Sequence, residues 1–253
     1  MKNIKILNMD IYITKDYDEM SQKAAHLLSA LVNSKQNPIL GLATGGTPVG
    51  MYKELIRMNQ AGEVDFSKTT TFNLDEYYPI SKENNQSYDY FMKDKLFNHI
   101  NIDLKNTHIP NGSAEDSTAE CEAYDQKVRD TGGVDMQVLG IGSNGHIAFN
   151  EPSDGFPTKT QKTGLTKNTI EDNARFFDNI KDVPTEAITM GIGTIMNAKS
   201  IMLLASGASK AQAIKETVLG KVTPQVPASI LQFHTCVTMV LDEAAASELL
   251  KTM

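Results

Sequence analysis

Leu139-Gly140-Ile141-Gly142-Ser143-Asn144-Gly145-His146-Ile147-Ala148-Phe149-Asn150-Glu151-Pro152 is the stretch on which the reading of this chain turns. An apolar run from Val138 to Ile141 feeds a glycine-rich turn, the turn presents a histidine, and a carboxylate follows five residues later at Glu151. Glycine lets the backbone turn sharply at positive φ and approach a ligand closely. Histidine is the side chain suited to proton transfer near neutral pH, and a carboxylate nearby fixes its tautomer and raises its basicity. A strand ending in such a turn places that chemistry on the rim of a sheet.

Outward from this stretch, apolar runs alternate with amphipathic ones, the pattern of a parallel sheet covered by helices. Strands are expected over 38–43, 69–74, 136–141, 200–205 and 237–241, with a weaker one near 4–7. Helices are expected over 19–32, 48–60, 87–100, 117–129, 210–219 and 243–251. The second of these has Thr47 as an N-cap, Pro48 at its first position and Gly62 as its stop. The polar, irregular segment 152–182 is expected to hold a lid. No repeat, low-complexity tract or linker divides the chain, so residues 1–253 read as one α/β domain, an open, mostly parallel sheet with helices on both faces.

A chain of 253 residues with 40% hydrophobic and 22% charged residues has the composition of a soluble globular protein with a proper core. Its net charge of -7 argues against nucleic acid as the main partner, while leaving room for a local basic pocket. The two cysteines, Cys121 and Cys236, are far apart and suit free thiols in a reducing compartment. Neither a signal peptide nor a membrane span is legible, so a cytoplasmic setting is expected.

Four polar clusters fall just after expected strands: Thr44-Gly45-Gly46-Thr47, Asp75-Glu76-Tyr77, Gly142 to His146, and Ser206-Gly207-Ala208-Ser209-Lys210. Ligands of open α/β sheets bind outside the carboxyl ends of the strands, so one shared pocket is the economical reading. Gly45, Gly46 and Thr47 enter a helix whose free amides and dipole suit an anion, although a tight capped turn explains them equally well. Lys210 opens a helix, where a cation is unfavourable unless an anion balances it, although a solvated lysine is the commoner case. Arg175 before Phe176-Phe177 is a third candidate cation, although most arginines simply face water. Asp75 ends an apolar strand, where an exposed turn carboxylate is the default reading; the polar loop it starts at the sheet rim supports the other, a base for a substrate carbon. Neighbouring residues point in different directions, so only one of Asp75 and Glu76 is assigned to chemistry. No second histidine or cysteine stands at ligand spacing from His146, and Ser143 lacks the Gly-x-Ser-x-Gly elbow of a serine hydrolase.

Taken together, these motifs resemble the glucosamine-6-phosphate deaminases over nearly the whole chain. The anchors are Leu42 to Pro48, Phe72 to Tyr77, Gly140 to Pro152, Arg175 to Asn179, and Gly191-Ile192-Gly193-Thr194. Gly-His-Ile-Ala-Phe-Asn-Glu-Pro is the most specific of them. The resemblance implies a Rossmann-like fold of the deaminase and 6-phosphogluconolactonase type, and conversion of glucosamine 6-phosphate and water to fructose 6-phosphate and ammonia in amino sugar catabolism, with no cofactor and no metal. It implies that His146, supported by Glu151 and Asn144, assists opening of the sugar ring. Asp75 then carries a proton from C2 to C1, while Gly45, Gly46, Thr47, Arg175 and Lys210 hold the phosphate.

This chain departs from the family pattern in two places. Some members carry an aspartate immediately before Gly-His where Asn144 stands here, so Asn144 is read as a positioning residue. Longer relatives are hexamers activated by N-acetylglucosamine 6-phosphate through basic residues and a C-terminal extension. Gln161 and Thr163 stand in place of those cations and the chain stops at Met253, so no such activation, and a monomer or small homo-oligomer, is expected. The nearest rival, a 6-phosphogluconolactonase, would follow its histidine with an Ala-Ser-Leu-Phe-Pro-like run and carry Asp-Glu-Arg after the second strand. A non-catalytic sugar-phosphate sensor would normally carry a helix-turn-helix segment, and none is legible.

Overall fold

A computed structural model describes residues 1–173, 179 and 182–252. Its main sheet runs, edge to edge, β1 (Lys2–Ile6), β2 (Met9–Thr14), β11 (Val237–Asp242), β10 (Ile201–Ala205), β7 (Met136–Leu139), β3 (Ile39–Leu42), β4 (Thr70–Asn73) and β6 (Thr107–His108). Only the β1–β2 hairpin pairs antiparallel; every other neighbour in this sheet is parallel. The central β10 is buried at all five positions, as a parallel strand covered on both faces must be.

Helices α1 (Tyr17–Ser34), α2 (Val49–Gln60), α3 (Tyr88–Lys95), α4 (Ser117–Asp130), α6 (Ile192–Met196), α7 (Ala211–Leu219) and α8 (Ser247–Leu250) accompany the sheet, which is open, mostly parallel and covered on both faces. Their starts follow ordinary capping chemistry. The Asp16 side chain accepts the Glu19 amide at α1, Ser87 accepts the Tyr90 amide at α3, and Asp116 accepts two amides at α4. None of the helices among the described residues is long and apolar enough to cross a membrane.

A second, antiparallel sheet of three strands orders β5 (Asp75–Tyr78), β9 (Glu186–Thr189) and β8 (Gln161–Gly164). It joins the main sheet at Leu74. The Leu74 amide donates to the Leu42 carbonyl of the main sheet at 3.2 Å, and its carbonyl accepts the Met190 amide at 2.8 Å from beyond β9. Asp75 is therefore the first residue after the switch from one sheet to the other.

The expected strands all form, shortened or extended by a residue or two, and the differences lie elsewhere. The polar run Asp75 to Tyr78, read as a loop, is β5, and the irregular 152–182 segment contains β8 and the helix α5 (Lys167–Asn173). β9 and β2 were not expected; in β2 alternating Asp10 and Tyr12 dilute the apolar signal. The helix expected from 48 begins at Val49, with Pro48 in the cap position and no side-chain cap from Thr47. The one expected over 87–100 stops at Lys95 and continues as a 3-10 turn, and the one over 243–251 shrinks to α8.

Candidate active site

The carboxyl ends of β3, β4 and β7 meet the start of β5 around one cavity of about 180 Å³, whose walls include Thr44 to Thr47, Asp75, Tyr88, Gly142, His146, Phe149, Thr169 and Lys210. All four sequence clusters contribute to it. Among the described residues no group of three His, Cys, Asp or Glu side chains converges as a metal site.

Asp75 and Glu76 are both buried, at 6% and 1% exposure, and the alternation of β5 sends them in different directions. Asp75 lines the cavity, where burial and then the Glu76 charge push its carboxyl up to about 8. Glu76 faces the start of α3: Oε1 accepts the Tyr77 amide at 2.9 Å and the Tyr88 amide at 2.8 Å, and Oε2 accepts the Asp89 amide at 3.0 Å. Burial pushes Glu76 to about 7 against those three donors. Its work is to hold the N-terminus of α3, which brings Tyr88 to the cavity wall beside Phe149, ring centroids 6.2 Å apart and nearly parallel.

The histidine turn is built by its glycines. The Gly142 amide donates to the His146 carbonyl at 2.9 Å, and the Gly145 amide to the Gly142 carbonyl at 3.0 Å with φ +84 at Gly145. A Cβ on Gly142 would lie 2.3 Å from His146 Cε1 and Nδ1, so the imidazole packs on bare backbone there. Asn144 sits between ring and carboxylate. Its Oδ1 lies 2.8 Å from His146 Nδ1, its Nδ2 donates to Glu151 Oε2 at 2.7 Å, and that oxygen is 3.4 Å from Nδ1. An amide oxygen only accepts, so this network assigns the proton to Nδ1 and leaves Nε2 as the basic atom of the neutral ring. Burial pushes the Glu151 carboxyl up, but the His146 hydrogen bond and charge, with donors from Thr169 and Asn144, outweigh it and hold it down at about 2.

The opposite end of the cavity is an anion cradle. The amides of Gly45, Gly46 and Thr47 donate to no group among the described residues, and Gly45 has φ +86. Tyr17 pins this turn, its hydroxyl donating to the Gly46 carbonyl at 3.1 Å and accepting the Gly50 amide at 2.7 Å. Lys210 closes the cradle from the 206–210 loop, which Asp242 holds through Ser206 Oγ at 2.5 Å and the Gly207 amide at 3.0 Å.

The structure thus brings Asp75, His146, Gly45, Gly46, Thr47 and Lys210 to one cavity, with Asn144 and Glu151 directly behind the imidazole. Arg175 lies outside the described residues. Sequence reasoning missed Tyr88 and Thr169. Tyr88 follows the α3 cap Ser87 and gave no signal beyond that, while Thr169 sits in the stretch read as irregular.

A family model described as glucosamine-6-phosphate isomerases/6-phosphogluconolactonase matches residues 15–240. The chain is 56% identical to a glucosamine-6-phosphate deaminase of Clostridium novyi (strain NT), over 95% of this chain and 100% of the relative. It is 54% identical to that of Clostridioides difficile (strain 630), over 95% and 97%. Among solved structures it is similar to a monomeric glucosamine-6-phosphate deaminase, with TM-score 0.92 and 44% identity over 94% of this chain and 99% of that one. A 6-phosphogluconolactonase from Thermotoga maritima shares the fold at TM-score 0.72 and 19% identity, over 92% and 99%.

Proposed function

This chain belongs to the family of glucosamine-6-phosphate isomerases and 6-phosphogluconolactonases, and from that premise we propose how its cavity carries out the deaminase reaction. The enzyme converts glucosamine 6-phosphate and water to fructose 6-phosphate and ammonia. The observation that carries the assignment of roles is a buried aspartate with a raised pKa sharing one cavity with a tautomer-fixed histidine and an anion cradle.

The phosphate sits against the amides of Gly45, Gly46 and Thr47 and the Lys210 ammonium, with Arg175 as a further cation expected from the family resemblance. Anchoring there fixes the sugar so that the reacting carbons meet Asp75, and such positioning removes much of the entropic barrier. His146 Nε2 takes the proton from the C1 hydroxyl and returns one to the ring oxygen, which opens the ring. Glu151, ionised behind Asn144, stabilises the imidazolium formed in between.

Asp75 then removes the C2 proton to give an enolamine and delivers it to C1, leaving an imine at C2. Water adds to the imine carbon, and the C–N bond breaks to release ammonia and the ketose. A carboxyl raised to about 8 is a stronger base than an exposed one, and it is well matched to return the proton. The substrate's C2 ammonium, arriving beside Asp75, favours its carboxylate form.

Residues 1–253 act as one catalytic unit, and a monomer suffices, because one chain supplies both the cradle and the histidine array. Activation by an acetylated sugar phosphate is not expected. Gln161 and Thr163 on β8 are neutral, and Lys162 between them is already engaged with Glu186 at 3.0 Å. The assay is ammonia and fructose 6-phosphate release by wild type and Asp75→Asn, beside 6-phosphogluconolactone hydrolysis. Equimolar products from the wild type, lost in the variant with substrate still bound, support the reading. A wild type that releases neither product refutes it.

A further inference from the structure

The Glu151 carboxylate is held from two sides. Oε2 serves the histidine array through Asn144, at 2.7 Å. Oε1 faces α5 and its cap, where it accepts the Thr169 hydroxyl and lies 3.3 Å from Thr166 Oγ1. Thr166 caps α5: its hydroxyl accepts the Thr169 amide at 3.3 Å and its carbonyl accepts the Ile170 amide at 2.9 Å.

A hydroxyl has one proton to give. With the Thr169 proton committed to Glu151, its oxygen accepts from Thr166 Oγ1 at 3.0 Å, so the hydroxyls form a chain from Thr166 to Thr169 to Glu151. Each bond in such a chain polarises the next, and the last one ends on a charge, the stronger kind of hydrogen bond. Threonines inside short helices usually bond their own backbone. Thr169, only 5% exposed and on the cavity wall, reaches a carboxylate 18 residues away instead.

We propose that Thr169 is a positioning residue: its hydroxyl fixes Glu151, and through Asn144 fixes the tautomer and orientation of His146 for ring opening. The inference deepens the deaminase reading and rests on it for the reaction affected. Among the described residues, neither Asp75 nor the Gly45-Gly46-Thr47 turn bonds this chain of hydroxyls, so the effect falls on the histidine step and spares substrate affinity.

The experiment compares wild type with Thr169→Val, Thr169→Ser, Glu151→Gln and the Glu151→Gln/Thr169→Val double variant. Removing the hydroxyl isosterically should lower kcat about ten-fold with KM changed less than about two-fold, since small misalignments of catalytic groups cost rate steeply. Serine at 169 should restore kcat to within about two-fold, and in the Glu151→Gln background the valine should cost less than about two-fold, because groups acting as one unit are not additive. Thr169→Ala carries the same test should the valine variant not fold.

A wild-type kcat in the hydroxyl-free variant, a serine variant as slow as the valine one, or an undiminished ten-fold loss in the Glu151→Gln background would each overturn the proposal. The 15N spectrum of His146 in the free enzyme separates this failure from that of the deaminase reading, since it needs no turnover. A tautomer balance that moves in Thr169→Val supports the positioning role, and an unchanged one refutes it.

Discussion

Two carboxylates serve this cavity, Asp75 buried and Glu151 half-buried, and their surroundings drive them in opposite directions. At the sheet junction, burial and the neighbouring Glu76 push Asp75 to about 8. In the 144–151 turn Glu151 is held at about 2, because His146, Thr169 and Asn144 overcome its burial. Pairs of titratable groups split in this way mark the division of labour in a site, one exchanging protons and the other keeping its charge. The lesson is local: burial beside a second carboxylate raises Asp75, and three amide donors do not offset the burial of Glu76. Only where an imidazole joins the donors, at Glu151, is the carboxyl held down as an electrostatic support.

The split also fixes the signs of two stability effects. Asp75 has a folded pKa above its unfolded value of about 3.9, so it favours the fold below that pH and costs stability increasingly as pH rises towards 8. Glu151 has a folded pKa below its unfolded value of about 4.3, so its contribution is complete above that pH and disappears as pH falls through about 2.

The largest expected effect breaks the Asp75 side of the comparison. Asp75→Asn should lower kcat by about 10³-fold, as loss of a general base does, while raising Tm at pH 8 by at least ~2 °C. The Tm gain should shrink as pH falls towards 4, and a Tm that drops at every pH would show that the carboxyl is not strained by burial. Breaking the other side, Glu151→Gln should cost about 10²-fold in kcat and lower Tm at pH 7, with the two proteins converging near pH 2. Equal pH slopes for the two variants in thermal unfolding would erase the contrast.

Lys210→Met sharpens it, because the cradle should affect binding rather than proton transfer. KM should rise about ten-fold through the loss of one charge-assisted hydrogen bond to phosphate, with a smaller fall in kcat because the remaining cradle still positions the sugar. The smallest effect is expected of Asn144→Asp. A carboxylate 2.7 Å from Glu151 would have to share a proton with it, and the pair would ionise fully only at higher pH, so the acidic limb of kcat/KM should move up by about half a pH unit to one unit. An unchanged profile would leave Asn144 without a role in orienting the ring.

Much of this arrangement was legible in the chain. Val138 to His146 predicts a strand, a glycine turn and a histidine at the sheet rim, and all three form as local consequences of apolar content and glycine freedom, with the imidazole half-buried. The helices α1 and α4 follow from periodicity and their aspartate caps. Illegible were β5, β8 and β9. Asp75-Glu76-Tyr77-Tyr78 is too polar to read as a strand, and it becomes one because β9 supplies its hydrogen-bond partners from more than a hundred residues away. Thr169 was missed for a similar reason, since its function depends on a carboxylate in a different segment.

By itself, the sequence determined the class of fold and the family, and it named the candidate site residues, because these rest on short-range pattern and on side chains whose reactivity is intrinsic. It also required that only one of Asp75 and Glu76 face the substrate, since neighbours on a strand diverge. Which one does so was a tertiary decision. The chain changes sheets at Leu74, and that switch turns Asp75 into the cavity and Glu76 under α3. The pKa values that separate Asp75 from Glu151 were decided at the same level, because desolvation and hydrogen-bond donors belong to the packed environment and not to the residue.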